Sequence, residues 1–172
     1  PPETWEGHGF GAMEEAEYVK VLERIFAEEL DGHPLITNRS LWRRFPTVRN
    51  KRWTAGNIVL LGDAQHTAHY SIGYGTKLAM ESAIALFEAI QTNAELPAAL
   101  EAFERDRHTE VEITQHAADV SLAWFENMAR YWHLDPRQFA FGVMSRSKKI
   151  TYENLRLRDP GFVAASNRIS AE

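Results

Sequence analysis

Apolar residues recur along this chain at more than one period, and the changes of period divide it into elements. From Met13 to Leu30, the residues Val19, Leu22, Ile25, Phe26 and Leu30 fall at helical spacing, and Asp31-Gly32 supplies a stop. Leu35 to Thr37 reads as a short extended piece. Leu41 to Val48, with Trp42, Phe45 and Val48, reads as a strand in which Pro46 marks an edge or a bulge. Ala55-Gly56 predicts a turn, and Ile58-Val59-Leu60-Leu61 a strand apolar on both faces, the pattern of a buried sheet centre. After Gly75 the helical period takes over. Thr76 to Thr92 places Leu78, Ala79, Ile84, Phe87 and Ile90 on one side of a helix. A second helix opens at Pro97, and Leu100, Phe103, Val111, Leu122, Phe125 and Met128 form a seam that carries it to the neighbourhood of Tyr131. Asp135-Pro136 and Asp159-Pro160 each set a capping acid before a proline, which predicts two further helix starts. The fold class expected is α+β and predominantly helical, with a few short strands ahead of long C-terminal helices.

Composition narrows the class. With 172 residues, 44% hydrophobic and 25% charged, the chain matches one ordinary globular domain able to bury a core. No apolar run approaches the roughly 20 residues of a membrane span, and no signal-peptide pattern opens the chain. The absence of cysteine excludes a disulfide framework and a thiolate metal site, and makes a reducing cytoplasm the expected compartment. A net charge of −5 speaks against a general nucleic-acid binder. The charge is unevenly placed, however. Between Asp31 and Asp63 there is no acid, while Arg39, Arg43, Arg44, Arg49, Lys51 and Arg52 crowd that interval. Such a run is either a solvated face balancing the acidic helix before it or a seat for an anionic group such as a coenzyme phosphate. The opening Pro1-Pro2-Glu3-Thr4-Trp5 lacks an initiator methionine and is expected to continue a longer protein.

Three arrangements carry candidate chemistry. Gly7-His8-Gly9-Phe10-Gly11-Ala12 has the letters of a dinucleotide fingerprint, but no strand precedes it, so it reads as a glycine loop. Asp63, His66 and His69, at intervals of three beside a strand end, offer ligands for a divalent metal with an open position, and a metal-dependent hydrolase or oxygenase would follow. The third arrangement is the whole unit from Asn57 to Ala83: strand, Gly62-Asp63-Ala64-Gln65-His66, then Gly73-Tyr74-Gly75, then helix. A lone acid at a strand end, glycines that let backbone approach a ligand, and the free N–H groups of a helix start together suit a polar cofactor. A non-catalytic helical module, with the long helix from Pro97 as a partner or dimer surface, is the alternative that needs no cofactor.

That third unit resembles the second flavin fingerprint of FAD-dependent single-component aromatic hydroxylases. Val48-Arg49-Asn50-Lys51-Arg52-Trp53, Gly75-Thr76-Lys77-Leu78-Ala79-Met80-Glu81 and Glu153-Asn154-Leu155-Arg156-Leu157-Arg158-Asp159-Pro160 are similar, more narrowly, to the monooxygenase part of salicylyl-CoA 5-hydroxylases and 2-aminobenzoyl-CoA monooxygenases. The resemblance covers nearly the whole chain and implies the C-terminal portion of an FAD/NAD(P)-binding monooxygenase fold, as a single partial domain. Residues 1–56 would end the substrate-binding region, 57–93 would form the FAD-binding strand, loop and helix, and 94–172 the C-terminal helices.

The resemblance also implies roles. Asp63, beside Gly62, would accept hydrogen bonds from the ribityl hydroxyls of FAD, and backbone N–H groups of Gly75, Thr76 and Lys77, reached through Gly73, would face the flavin's pyrimidine edge. His69 and Tyr70 would sit where the substrate arrives, as donor or proton acceptor, unless they only pack the loop. Arg43, Arg44 and Arg49 would meet the phosphates of an aromatic acyl-CoA substrate, with NAD(P)H and O₂ as co-substrates. Weak FAD binding and no turnover are expected of this chain alone, with self-association through uncovered apolar surface a further expectation. Against the family pattern, Tyr70 replaces a loop proline, Lys77 a helix-start asparagine, and Ser82 a helix aspartate. Lys77 agrees with the CoA-ester group; sequence offers no reason for Ser82.

Overall fold

The structure, a computed structural model, describes residues 1–38 and 40–171, so Arg39 of the basic run lies outside the described residues. The chain divides into two compact units, Pro1–Phe45 and Pro46–Glu172. In the first, α1 (Pro2–Gly7) leads into a helical turn at Phe10–Ala12, and α2 (Glu15–Ile25) and α3 (Ala27–Leu30) follow. The single helix expected from Met13 to Leu30 is thus interrupted at Phe26. Glu14 and Glu17 cap α2 reciprocally; left-handed Asp31 and Gly32 stop α3, the one end signal that the sequence predicts here. The Gly7–Ala12 segment is preceded by a helix and folds around buried Phe10; a Cβ on Gly11 would stand 2.6 Å from the Trp5 ring. The glycine there answers to packing.

Neither extended segment expected before residue 50 forms a strand. Leu35 to Thr37 and Leu41 to Val48 are irregular among the described residues. Trp42 is held by side chains instead, with ring centroids 5.2 Å from Phe10, 5.8 Å from Tyr18 and 6.2 Å from Trp5, and the Tyr18 hydroxyl donates to the Ser40 carbonyl. Alternating apolar residues here satisfy an aromatic cluster and not a pleated ladder.

The second unit begins with a hairpin of β1 (Thr54–Ala55) and β2 (Ile58–Val59), antiparallel, with Thr54 opposite Val59 and Ala55 opposite Ile58. Its two-residue loop places Gly56 at φ 59°, a conformation that suits glycine in tight hairpins. The expected buried central strand is corrected: Ile58 is 65% exposed, because the sheet has only these two strands and one of its faces is uncovered. The hairpin is fastened to α5 (Leu96–Glu126) by Glu104, whose carboxylate accepts from Trp53 N–H at 3.1 Å and from the Thr54 hydroxyl at 2.8 Å.

The expected helix after Gly75 is α4 (Gly75–Thr92), and α5 packs along it. Leu78, Ser82 and Ala89 are the buried residues of α4, whereas Ile84, Phe87 and Ile90, expected on its covered side, are 55%, 63% and 45% exposed. Small side chains let the helices approach closely, and the bulky stripe has nothing over it among the described residues. The core consists of Trp53, Leu78, Ala89, Phe103 and Val111, with Val59, Leu61, Ala68, Ala85 and Leu86 around it. The long helix ends at Asn127 and a helical turn at Met128–Tyr131 follows. Trp124 stacks on Tyr131 at 5.1 Å and meets Phe139 at 5.6 Å, which anchors α6 (Pro136–Ser145).

Asp135 caps α6 through Arg137 N–H at 2.8 Å, and Asp159 meets Phe162 N–H at 2.9 Å at the start of α8 (Pro160–Ala171); both follow the acid-proline reading. Between them α7 (Tyr152–Arg158) is capped by Thr151, and α8 lies against α6 and α7. No helix among the described residues is long and apolar enough to cross a membrane.

Phe103, 1% exposed and 6.0 Å from the Trp53 ring, ties hairpin to helix. Phe103→Ala is expected to lower the unfolding free energy by about 3–5 kcal/mol, read from urea denaturation.

Candidate functional site

The hairpin delivers the chain into a helical turn at Gly62–Ala64. Gly62 has φ 58°, and a Cβ added there would stand 3.8 Å from the Cβ of Ala79 in α4, so backbone conformation rather than crowding calls for glycine. The turn faces Asp63 outward beside the first turns of α4. Among the described residues its carboxylate accepts no hydrogen bond and joins no ion pair. Asn50 steadies the turn from below, its amide donating to Ala64 O at 2.8 Å and Gln65 O at 2.7 Å.

His66 points the other way. It is 3% exposed, with Nε2 3.4 Å from the hydroxyl of Ser82, itself fully buried. Ser82, unexplained from sequence, is therefore the polar partner of a buried histidine, and a short hydroxyl fits between the closely packed helices where an aspartate would bring a charge. Burial, and then the neighbouring Arg107 guanidinium, push the His66 imidazole below its ordinary range. Gln65 is fully buried beside it, and neither of its side-chain amide atoms finds a partner among the described residues.

The loop then runs along α5. Gln115 Nε2 donates to Val48 O at 2.9 Å and Thr67 O at 2.8 Å. Arg49 reaches the same helix, donating to Gln115 Oε1 at 3.1 Å and Asp119 at 2.6 Å. His69 and Tyr70 lie further on, their rings 4.3 Å apart, with His69 half-buried and Tyr70 71% exposed. His69 Nδ1 is 2.9 Å from Ser71 Oγ, Ser71 Oγ is 2.8 Å from Ser121 Oγ, and Arg146 donates to Ser121 Oγ at 3.0 Å and Ser71 O at 2.6 Å. Gly73, at φ 65°, closes this turn.

At the start of α4 no side chain among the described residues caps the N-terminus, and Gly75, Thr76 and Lys77 are exposed. Their N–H groups and the helix dipole face solvent. Lys149 Nζ adds to this field, 4.0 Å from the Tyr74 ring centre; Lys77 Nζ stands 5.0 Å from the same ring and pairs with Glu81 at 3.3 Å. A Cβ built on Gly75 meets nothing within 4 Å.

Of the residues singled out from sequence, the fold brings Gly62, Asp63 and the α4 start together, and sets His69 and Tyr70 on the same loop. It does not gather Asp63, His66 and His69: one faces out, one is buried, one is bonded to Ser71, and no metal-competent cluster occurs among the described residues. Arg43 and Arg44 are exposed in the first unit, Arg44 lying 3.9 Å from Glu6, whereas the Arg49 fork already has partners. Sequence reasoning gave no role to Asn50, Gln115, Ser121 or Arg146, and met Ser82 only as a departure without a reason.

No protein-family model matches the chain. Known proteins do. Salicyloyl-CoA 5-hydroxylase from Streptomyces sp is 45% identical over 145 residues, 83% of this chain and 28% of that protein. The 3-hydroxy-4-methyl-anthranilyl-[aryl-carrier protein] 5-monooxygenase of Streptosporangium sibiricum is 47% identical over 83% of this chain and 40% of its own length. Protodeoxyviolaceinate monooxygenase of Chromobacterium violaceum is 36% identical over 86% of this chain and 40% of its own length. This chain is a relative of the aromatic monooxygenases. It spans between 28% and 40% of the length of these relatives.

The His66 shift has a sign. A histidine whose folded pKa lies below its ordinary 6.5 leaves the unfolded chain holding more protons, so its contribution is full above that value and is lost as pH falls. The melting temperature is expected to drop as pH is lowered below 6.5, and His66→Gln to flatten that dependence, as followed by circular dichroism.

Proposed function

We propose that this chain supplies the flavin-holding turn and the C-terminal helices of an FAD-dependent monooxygenase that hydroxylates an aromatic acyl thioester, with NAD(P)H and O₂ as co-substrates. The observation that carries the reading is the pairing of an exposed Asp63, its carboxylate without a hydrogen bond or ion pair among the described residues, with the exposed start of α4, to which none of those residues lends a side-chain cap. Gly75 supports it. Its backbone is not left-handed and open space surrounds its absent Cβ, so nothing in the chain itself requires glycine there. Close approach of a planar ring to the helix start does.

In this reading the Asp63 carboxylate accepts from ribityl hydroxyls, and the N–H groups of Gly75, Thr76 and Lys77 donate to the pyrimidine edge of the isoalloxazine. FAD, when bound, supplies the redox and oxygen chemistry. The protein's part is placement and field. The helix dipole, worth roughly 0.3–1 kcal/mol at exposed sites, acts together with Lys149 to favour negative charge beside α4. His69 and Tyr70 orient the aromatic ring from the loop. Residues 1–56 belong to the substrate region, 57–93 hold the flavin, and 94–172 form the supporting helices. The substrate class rests on two relatives, one named for a CoA ester and one for an aryl-carrier protein.

Asp63→Ala and Gly75→Ala in the full-length protein are expected to weaken FAD affinity at least tenfold, read by flavin fluorescence, while the melting temperature of Gly75→Ala does not fall because its Cβ meets nothing within 4 Å. Unaltered flavin affinity in both variants would remove the reading. Exposed Arg43 and Arg44 are assigned to the coenzyme phosphates. Reversing both to Glu is expected to raise KM for the thioester far more than for NAD(P)H, and equal effects would reject that assignment.

A further inference from the structure

We infer that Arg146, Ser121 and Ser71 form a one-way hydrogen-bond chain that holds the His69 ring with its proton on Nε2, making His69 a hydrogen-bond donor to an acceptor oxygen of the bound ligand. That the oxygen belongs to an aromatic substrate rests on the monooxygenase reading; the tautomer does not.

The direction of each link follows from what each group can do. The backbone N–H of Ser71 donates to His69 Nδ1 at 3.3 Å, and an amide N–H has no other role, so Nδ1 carries a lone pair. The Ser71 hydroxyl lies 2.9 Å from the same nitrogen and must therefore donate to it as well. Its oxygen is left to accept, and Ser121, at 2.8 Å, is the donor. Ser121 in turn accepts from Arg146 Nε at 3.0 Å, a guanidinium that can only donate. One orientation satisfies all four groups.

The source of the chain is itself fixed. Arg146 Nη2 donates to Ser71 O at 2.6 Å, Nη1 donates to the Val143 carbonyl, and the guanidinium lies 5.0 Å from the centre of the Phe125 ring. Ser121 is fully buried, so water does not compete for its hydroxyl. Arg146, Ser121 and Ser71 are thus positioning residues acting through His69. The ring they hold is half-buried against Tyr70. An Nε2–H in that place suits a carbonyl or phenolate oxygen, and in this tautomer Nε2 has no lone pair with which to remove a proton from a phenol.

Long-range proton–nitrogen correlation spectra of the chain carrying ¹⁵N-histidine, without flavin and at about pH 8, above the usual histidine range, test this directly. The seven histidines are separated by the signals lost in His69→Gln. The expected pattern for His69 is a pyridine-type Nδ1 and a pyrrole-type Nε2. Ser121→Ala and Arg146→Met are expected to move both signals toward the average of the two tautomers, with helix content unchanged by circular dichroism. A pyrrole-type Nδ1 in the unaltered chain overturns the inference, as do folded variants whose His69 signals stay in place. Should a variant fail to fold, the unaltered spectrum still decides the tautomer. Because no flavin is present, failure here leaves the cofactor reading standing, and loss of the cofactor reading leaves this result intact.

Discussion

The side-chain amide of Gln115 joins the two stretches of backbone on which the candidate site stands. Among the described residues Val48 and Thr67 flank the single bridge of Arg49 and His66; the Val48 carbonyl accepts from Thr67 N–H at 3.1 Å, and a donor on α5 reaches both carbonyls. A buried amide on α5 provides both hydrogens and takes one from Arg49 in return. Loss of this group would take the donor from the Thr67 carbonyl, a cost of about 1–3 kcal/mol for a group so stranded, while the Val48 carbonyl would keep the Thr67 N–H. The loop between the hairpin and α4 keeps its path because the long helix beneath it carries polar groups at the required heights: Gln115 for the first half, Ser121 for the second.

The other determinant is how α4 packs on α5. Leu78 and Ala89 pack in the core with Phe103 and Val111 of α5, and Ser82 is buried on α4 facing His66. The Asp63 turn meets α4 separately, at Gly62, where an added Cβ would stand 3.8 Å from the Cβ of Ala79. The Ser82 hydroxyl gives His66 a partner on α4 without bringing a second charge inside.

Much of this fold was legible in the sequence, for reasons that also explain where legibility stopped. Helices announce themselves locally: the periodic seam of α5, the Asp-Pro starts and the Asp31-Gly32 stop each report on their own few residues. The aliphatic run at Ile58 does not, because four aliphatics in a row look alike whether or not other strands cover them. Leu41 to Val48 misled in a similar way, its alternation serving Trp42 and the aromatic rings around it. On α4 the bulky residues drew attention, while packing used the small ones. His66 and His69 were indistinguishable as letters three apart, yet one is buried against Ser82 and the other is tied to Ser71. The groups that hold the loop were beyond any local reading, because Gln115 and Arg146 act across 48 and 75 positions of chain.

That last separation bears on how the protein is made. A loop whose second half depends on a guanidinium so far downstream cannot settle while the chain is shorter than that residue. Closing so large a span is entropically slow compared with coiling α4 or α5 in place. The region around His69 therefore matures late in synthesis, after the bend beyond α6 has emerged, and clipping the chain ahead of that bend would undo the order of a segment that lies in the first half of the polypeptide.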